Sequence, residues 1–96
     1  MRIAKVVGVI VATVKDRRLE GSKCLLVAAV DPEGQAQGLP FVAMDMVGAG
    51  EGELVLIVEG SSARVAVGDV NRPVDAVIIA ILDSLRHDGQ MMYRKS

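Results

Sequence analysis

Val47-Gly48-Ala49-Gly50-Glu51-Gly52-Glu53-Leu54-Val55-Leu56-Ile57-Val58-Glu59-Gly60-Ser61-Ser62-Ala63-Arg64 sets three glycines at alternate positions ahead of an apolar run. Glycine reaches backbone angles closed to other residues, and a run rich in Val and Ile suits a strand. The stretch therefore reads as a turn built on Gly48, Gly50 and Gly52, with Gly50 expected at positive φ, then a buried strand and a second reversal at Gly60. After Gly60, the hydroxyl of Ser61 or Ser62 is expected to cap a short helical turn, with Arg64 reaching across it. A glycine-rich turn beside a strand also raises the question of a nucleotide site. The dinucleotide fingerprint, however, follows a strand and opens a helix, and Glu53 stands where its third glycine belongs. No Gly-Lys-Ser or Gly-Lys-Thr occurs, and Glu51 and Glu53 would repel a phosphate.

Working outward, 96 residues make one small domain, residues 1–96, with room for a single barrel or sandwich, because such a chain buries only somewhat over about 60 % of its unfolded surface. With its 10 glycines the apolar fraction reaches about 60 %, against an ordinary 45–50 %. A domain of this size cannot cover that much apolar surface by itself, so the surplus implies an interface between copies. Eleven basic and 12 acidic residues give a net charge of -1, too little to recruit nucleic acid or an anionic membrane. The lone Cys24 and the lone His87 exclude a disulfide framework within the chain and fall short of a four-ligand zinc site. Cys24 reads as a small buried hydrophobe.

Arg2 and Lys5 followed by Val6 to Val14 imitate a signal peptide poorly. The run contains Gly8 and Thr13, meets Lys15-Asp16-Arg17-Arg18 directly and offers no small-residue cleavage site. It is read as a first strand, Ile3 to Val14, with a bend at Gly8. From Val6 onward both alternating sets are apolar, so both of its faces should be covered, one by the barrel core and one by a helix or a neighbouring subunit. No apolar run exceeds about nine residues, well short of the roughly 18 that a membrane span needs. Lys15, Arg17, Arg18 and Lys23 form a charged connection, read as a solvated loop. Leu25 to Val30 is a second strand, closed by Asp31-Pro32-Glu33-Gly34 in the pattern of a type I turn. Phe41 to Val47 is a third strand, and Asp45 on it is expected to pair with Arg64 rather than act in catalysis.

Pro73 to Gly89 supports two readings. Val74, Val77, Ile78, Ile81, Leu82 and Leu85 fall on one helical face, with proline near the start and glycine past the end. Against a helix, Val77-Ile78-Ile79-Ala80-Ile81 is dense in β-branched residues, and Asp88-Gly89 is a hairpin signal. Local pattern leaves both open.

Several blocks together carry a resemblance. They are Val7 to Thr13, Leu19 with Lys23 to Val30, Asp31 to Gly34, Asp45 with Val47 to Glu53, Gly60 to Arg64, and Pro73 to Ala76. In residues and spacing the chain resembles the EutN/CcmL family, the small pentameric vertex proteins of bacterial microcompartment shells. The resemblance implies a mainly β fold: a small β-barrel similar to an oligonucleotide-binding fold, one short helix after the fourth strand, and a C-terminal β-hairpin. It thereby resolves the ambiguous segment as strand, with Gln90 to Arg94 covering the edge of Val77 to Leu82. Ala80 stands where many relatives carry glycine. The implied role is structural, a homopentamer at the corners of a shell tiled by hexameric or pseudohexameric proteins, in the bacterial cytoplasm. Neither catalysis nor a cofactor or metal is implied. Ser61, Ser62 and Arg64 become candidates for subunit contacts.

Two other functions are considered. A single-strand nucleic-acid binder of similar fold would need aromatic platforms and a basic groove, and this chain has only Phe41 and Tyr93 and no basic excess. A small hydrolase would need Ser61 or Ser62 beside His87, oriented by Asp75 or Asp83, although helix capping accounts for the serines without chemistry.

Overall fold

The computed structural model describes residues 1–13, 15–19, 21–69 and 71–95. In chain order its elements are β1 (Arg2–Val9), β2 (Lys23–Ala29), β3 (Phe41–Asp45), β4 (Leu54–Glu59), α1 (Ser61–Ala66), β5 (Ala76–Ile81), β6 (Ser84–His87) and β7 (Gln90–Arg94), with a 3-10 turn at Arg17–Leu19. The first five strands close a barrel in the order β1-β2-β3-β5-β4, while β6 and β7 form a separate two-stranded sheet. Closure leaves none of the five strands with a free edge. All barrel pairs are antiparallel except β3 with β5, where Met44 lies opposite Val77 and Asp45 opposite Ile78. The mainly β class, the short helix and the C-terminal hairpin agree with expectation.

Side-chain alternation fills the barrel. Ala4 and Val6 of β1, Leu25 and Val27 of β2, Ala43 of β3, Val55 and Ile57 of β4 and Ile78 of β5 point inward and are fully or almost fully buried. Each large aliphatic among them contributes about 1.5–3 kcal/mol by leaving water. A second apolar cluster lies outside the barrel wall, where Ala63 of α1 packs with Met44, Val58, Val74 and Val77. The strands under the helix are therefore apolar on both faces. This explains the helical-looking spacing of Pro73 to Gly89: Val77 faces the helix, Ile78 faces the barrel interior, and adjacent burial on opposite faces mimics the i, i+1 part of a helical stripe.

The first strand ends at Val9, not at Val14; pairing with β2 shifts register between Val6 and Gly8, so the expected bend at Gly8 is a bulge. Val14, Glu20 and Val70, within the expected strand and loops, lie outside the described residues. The hairpin also differs from expectation. Its Asp88-Gly89 turn has positive φ at both residues, 52° and 76°, as a two-residue hairpin turn demands. Yet the partner of β7 is β6, with Leu85 opposite Tyr93, while β5 is sealed between β3 and β4 and needs no cover from the C-terminus.

Candidate assembly surface

The glycine turn is held by two carboxylates. Asp45, at the end of β3, accepts the N–H groups of Val47, Gly48 and Ala49 at 3.0, 3.1 and 3.0 Å, and its side chain is 1 % exposed. Lys23 Nζ on the adjacent strand lies 3.7 Å from it. The expected Asp45–Arg64 pair does not form, because three local amides already occupy the carboxylate; Arg64 Nη1 instead donates to the Val74 carbonyl at 3.4 Å. Glu53 takes the Gly50 N–H at 2.6 Å on Oε1 and Lys95 Nζ at 3.1 Å on Oε2. The Gly50 N–H first and Lys95 second hold its carboxyl below the ordinary carboxylate range.

Gly48 and Gly52 have φ of 77° and 86°, the region that favours glycine, whereas Gly50 does not have positive φ. Contrary to expectation, Gly50 serves the turn through its N–H and not through its φ. Gly52 N–H donates to the Val6 carbonyl at 2.8 Å and the Val6 N–H donates to the Glu53 carbonyl at 3.0 Å, which fastens the turn to β1.

At the second reversal Gly60 itself caps α1, with φ 63° and ψ -138°, and no side chain makes a capping bond. The capping role expected of Ser61 or Ser62 is thus absent: both already lie within the helix and are exposed. No capping duty consumes their hydroxyls. His87, on β6, has Asp88 at 3.4 Å and Glu33 at 4.0 Å as its carboxylate neighbours, not Asp75 or Asp83, and sits on the hairpin while the serines sit on α1. The parts of a hydrolytic triad are not brought together. Phe41 carries the Arg2 guanidinium 5.3 Å from its ring centre, and Arg2 is doubly bonded to Glu59 at 2.6 and 2.9 Å, so that ring face is taken.

Apolar side chains remain in the open. Val7, Val9 and Val11 are 42, 54 and 96 % exposed. Met46 and Val47, also exposed, follow the end of β3, and the registers Val9–Leu25 and Lys23–Asp45 bring both runs to the same end of the barrel. Val65 of α1 is exposed beside Arg64. Within the charged connection Arg18 is exposed yet bonded: it pairs with Asp16 at 2.8 Å and donates to the Asn71 carbonyl, while Arg72 donates to the Arg18 carbonyl and to Ser22 Oγ. Among the described residues no group of three metal-binding side chains converges.

The family described as Ethanolamine utilisation protein EutN/carboxysome matches residues 1–83. The chain belongs to the EutN/CcmL family. Among EutN/CcmL proteins, the carboxysome shell vertex protein CcmL of Synechococcus elongatus is 48 % identical over 95 residues, covering 99 % of this chain and 96 % of the relative. The solved structure of the ethanolamine utilization protein EutN superposes with a TM-score of 0.93 at 44 % identity over 100 % of both chains. GrpN, a pentameric microcompartment shell protein from Rhodospirillum rubrum, superposes with a TM-score of 0.81 at 37 % identity, over 91 % of this chain and 99 % of its own. Of these relatives, CcmL and GrpN are named as shell proteins.

The clasping roles of Asp45 and Glu53 escaped the sequence reading. A signal was present for Asp45, since an Asp two and three residues before Val-Gly is placed to bond their amides. For Glu53, the bond to the Gly50 N–H spans only three residues, while its second partner Lys95 lies too far along the chain for any local pattern to pair them.

Proposed function

We propose that this chain, residues 1–96 acting as one domain, forms a homopentamer that closes the fivefold vertices of a bacterial microcompartment shell in the cytoplasm. The observation that carries this reading is the whole-length match to a protein named as a shell vertex, joined to the fold it shares with a shell protein named as pentameric. The open apolar side chains supply the physical half. Val7, Val9, Val11, Met46 and Val47 lose contact with water when the end of one barrel meets a different surface on the next copy. Ser61, Ser62 and Arg64, with hydroxyls free of capping and a guanidinium only partly engaged, are the polar groups proposed near these contacts. Hexameric or pseudohexameric shell proteins are the proposed partners on the outer sides of the ring. Reconstitution tests this role: hexameric shell proteins produced with this chain should give closed polyhedra in electron micrographs and, without it, open sheets or tubes. Identical open assemblies in both preparations would remove the vertex role.

A further inference from the structure

Backbone hydrogen bonding to the barrel stops at Leu82, whose N–H donates to the Leu54 carbonyl at 2.9 Å. One residue later the hairpin's own bonding begins, with Lys95 N–H donating to the Asp83 carbonyl at 2.8 Å. No ladder connects β6 or β7 to the barrel. A two-stranded hairpin by itself is marginal in water, so side chains must seat this one. The seam is incompletely packed: an open crevice of about 130 Å³ separates Met92 and Tyr93 on the hairpin from Lys5, Pro32, Gly52 and Leu54 on the barrel side. The charged contact at its base is Lys95 Nζ to Glu53 Oε2, 3.1 Å, with Glu53 fixed in turn by the Gly50 N–H. Near its tip His87 stands 4.0 Å from Glu33 on the Asp31–Gly34 turn, a contact that carries charge only with a protonated imidazole.

We propose that β6–β7 is an arm hinged between Leu82 and Asp83 and latched to the glycine turn by the Glu53–Lys95 pair. The latch is a conformational device of the single subunit and does not depend on the ring. Its pieces are asymmetric: Glu53 belongs to the rigid barrel, tied down through Oε1, whereas Lys95 belongs to the arm. Asp45 also faces Glu53, Asp83 and Tyr93 face Lys95, and Lys5 lines the seam, so the pair sits among charges of both signs. Because both partners are partly exposed, added salt weakens the attraction and loosens the arm.

Hydrogen–deuterium exchange on the whole protein tests the latch. Glu53→Gln keeps an oxygen for the Gly50 N–H and removes the charge; Lys95→Met leaves Glu53 untouched. Both should speed exchange in residues 84–94 about two- to fivefold, the range of a partly exposed ion pair, with peptides of β1 to β5 accelerated less. Glu51→Gln, a charge lost from the same turn, should leave the arm as in the wild type. Unchanged exchange of 84–94 in both variants would overturn the latch. Equal acceleration in the arm and in β1 and β4 would overturn it too, since Glu53 would then be stabilising the barrel rather than holding an arm.

Discussion

Asp45 Oδ2 accepts the Ala49 N–H at 3.0 Å, while the other carboxylate oxygen takes the amides of Val47 and Gly48. One nearly buried side chain thus satisfies three successive amides at the point where β3 turns toward β4. Asp45→Ala would strip all three of their acceptor, at a cost of about 2–3 kcal/mol, since bonds to a charged acceptor exceed neutral ones. Asp45→Asn keeps one acceptor oxygen and should lose less. Urea unfolding at one fixed protein concentration measures both. A wild-type midpoint for Asp45→Ala would contradict this role.

The glycines of the turn are not equivalent. A Cβ on Gly52 meets nothing within 4 Å, so Gly52→Ala is penalised by its φ of 86° alone, by about 1–2 kcal/mol. Gly50 lacks positive φ, and a Cβ there would touch Glu53 Oε1 at an ordinary 3.5 Å. Gly50→Ala should therefore melt close to the wild type and Gly52→Ala several degrees lower. The reverse order would contradict this turn geometry.

This pair of glycines illustrates what was legible in the sequence. Alternate glycines before an apolar run announced the turn and β4, and Asp88-Gly89 announced the hairpin, because those signals are local. Which glycine holds positive φ depends on where Asp45 and Glu53 place their oxygens, and those bonds, though they span only two to four residues, follow once β3 and β4 fix the two carboxylates. Val77 and Ile78 misled the helical count because each is buried against a different layer, and only the second cluster under Ala63 reveals it. The capping reading of Ser61 and Ser62 failed for a backbone reason: Gly60 adopts φ 63° and ψ -138°, takes the cap position itself and moves both serines into the helix. The open valines at the end of β1 were legible as a strand apolar on both faces, with one face expected against a helix or a neighbouring subunit.

Ending the chain after Asp83 should leave the barrel folded, because β5 is paired on both sides without β6 or β7. Circular dichroism should retain the barrel signal, with a melting temperature lower by a few degrees from the loss of the Glu53–Lys95 pair. Aggregation on removal of 84–96 would mean that the arm covers a surface the barrel cannot expose.

Glu53 also sets a pH dependence. Its folded pKa is held below the ordinary 4.5, so its contribution is complete above that value and is lost as pH falls through the lowered folded value. Lys95 is raised above 10.5 by the same pair, so its share persists up to and beyond that pH and is lost only in stronger alkali. The melting-temperature difference between wild type and Glu53→Gln should be constant through neutral pH and shrink in acid below 4.5. A difference unchanged down to pH 3 would exclude the charge on Glu53 as its source.

Native mass spectrometry of the 10.1 kDa chain at micromolar concentration tests the proposed ring of five. A dominant species of five chains that survives dilution across that range is expected. A monomer would contradict both the interface and the vertex role, and a stable dimer or hexamer would keep the interface and contradict the fivefold corner.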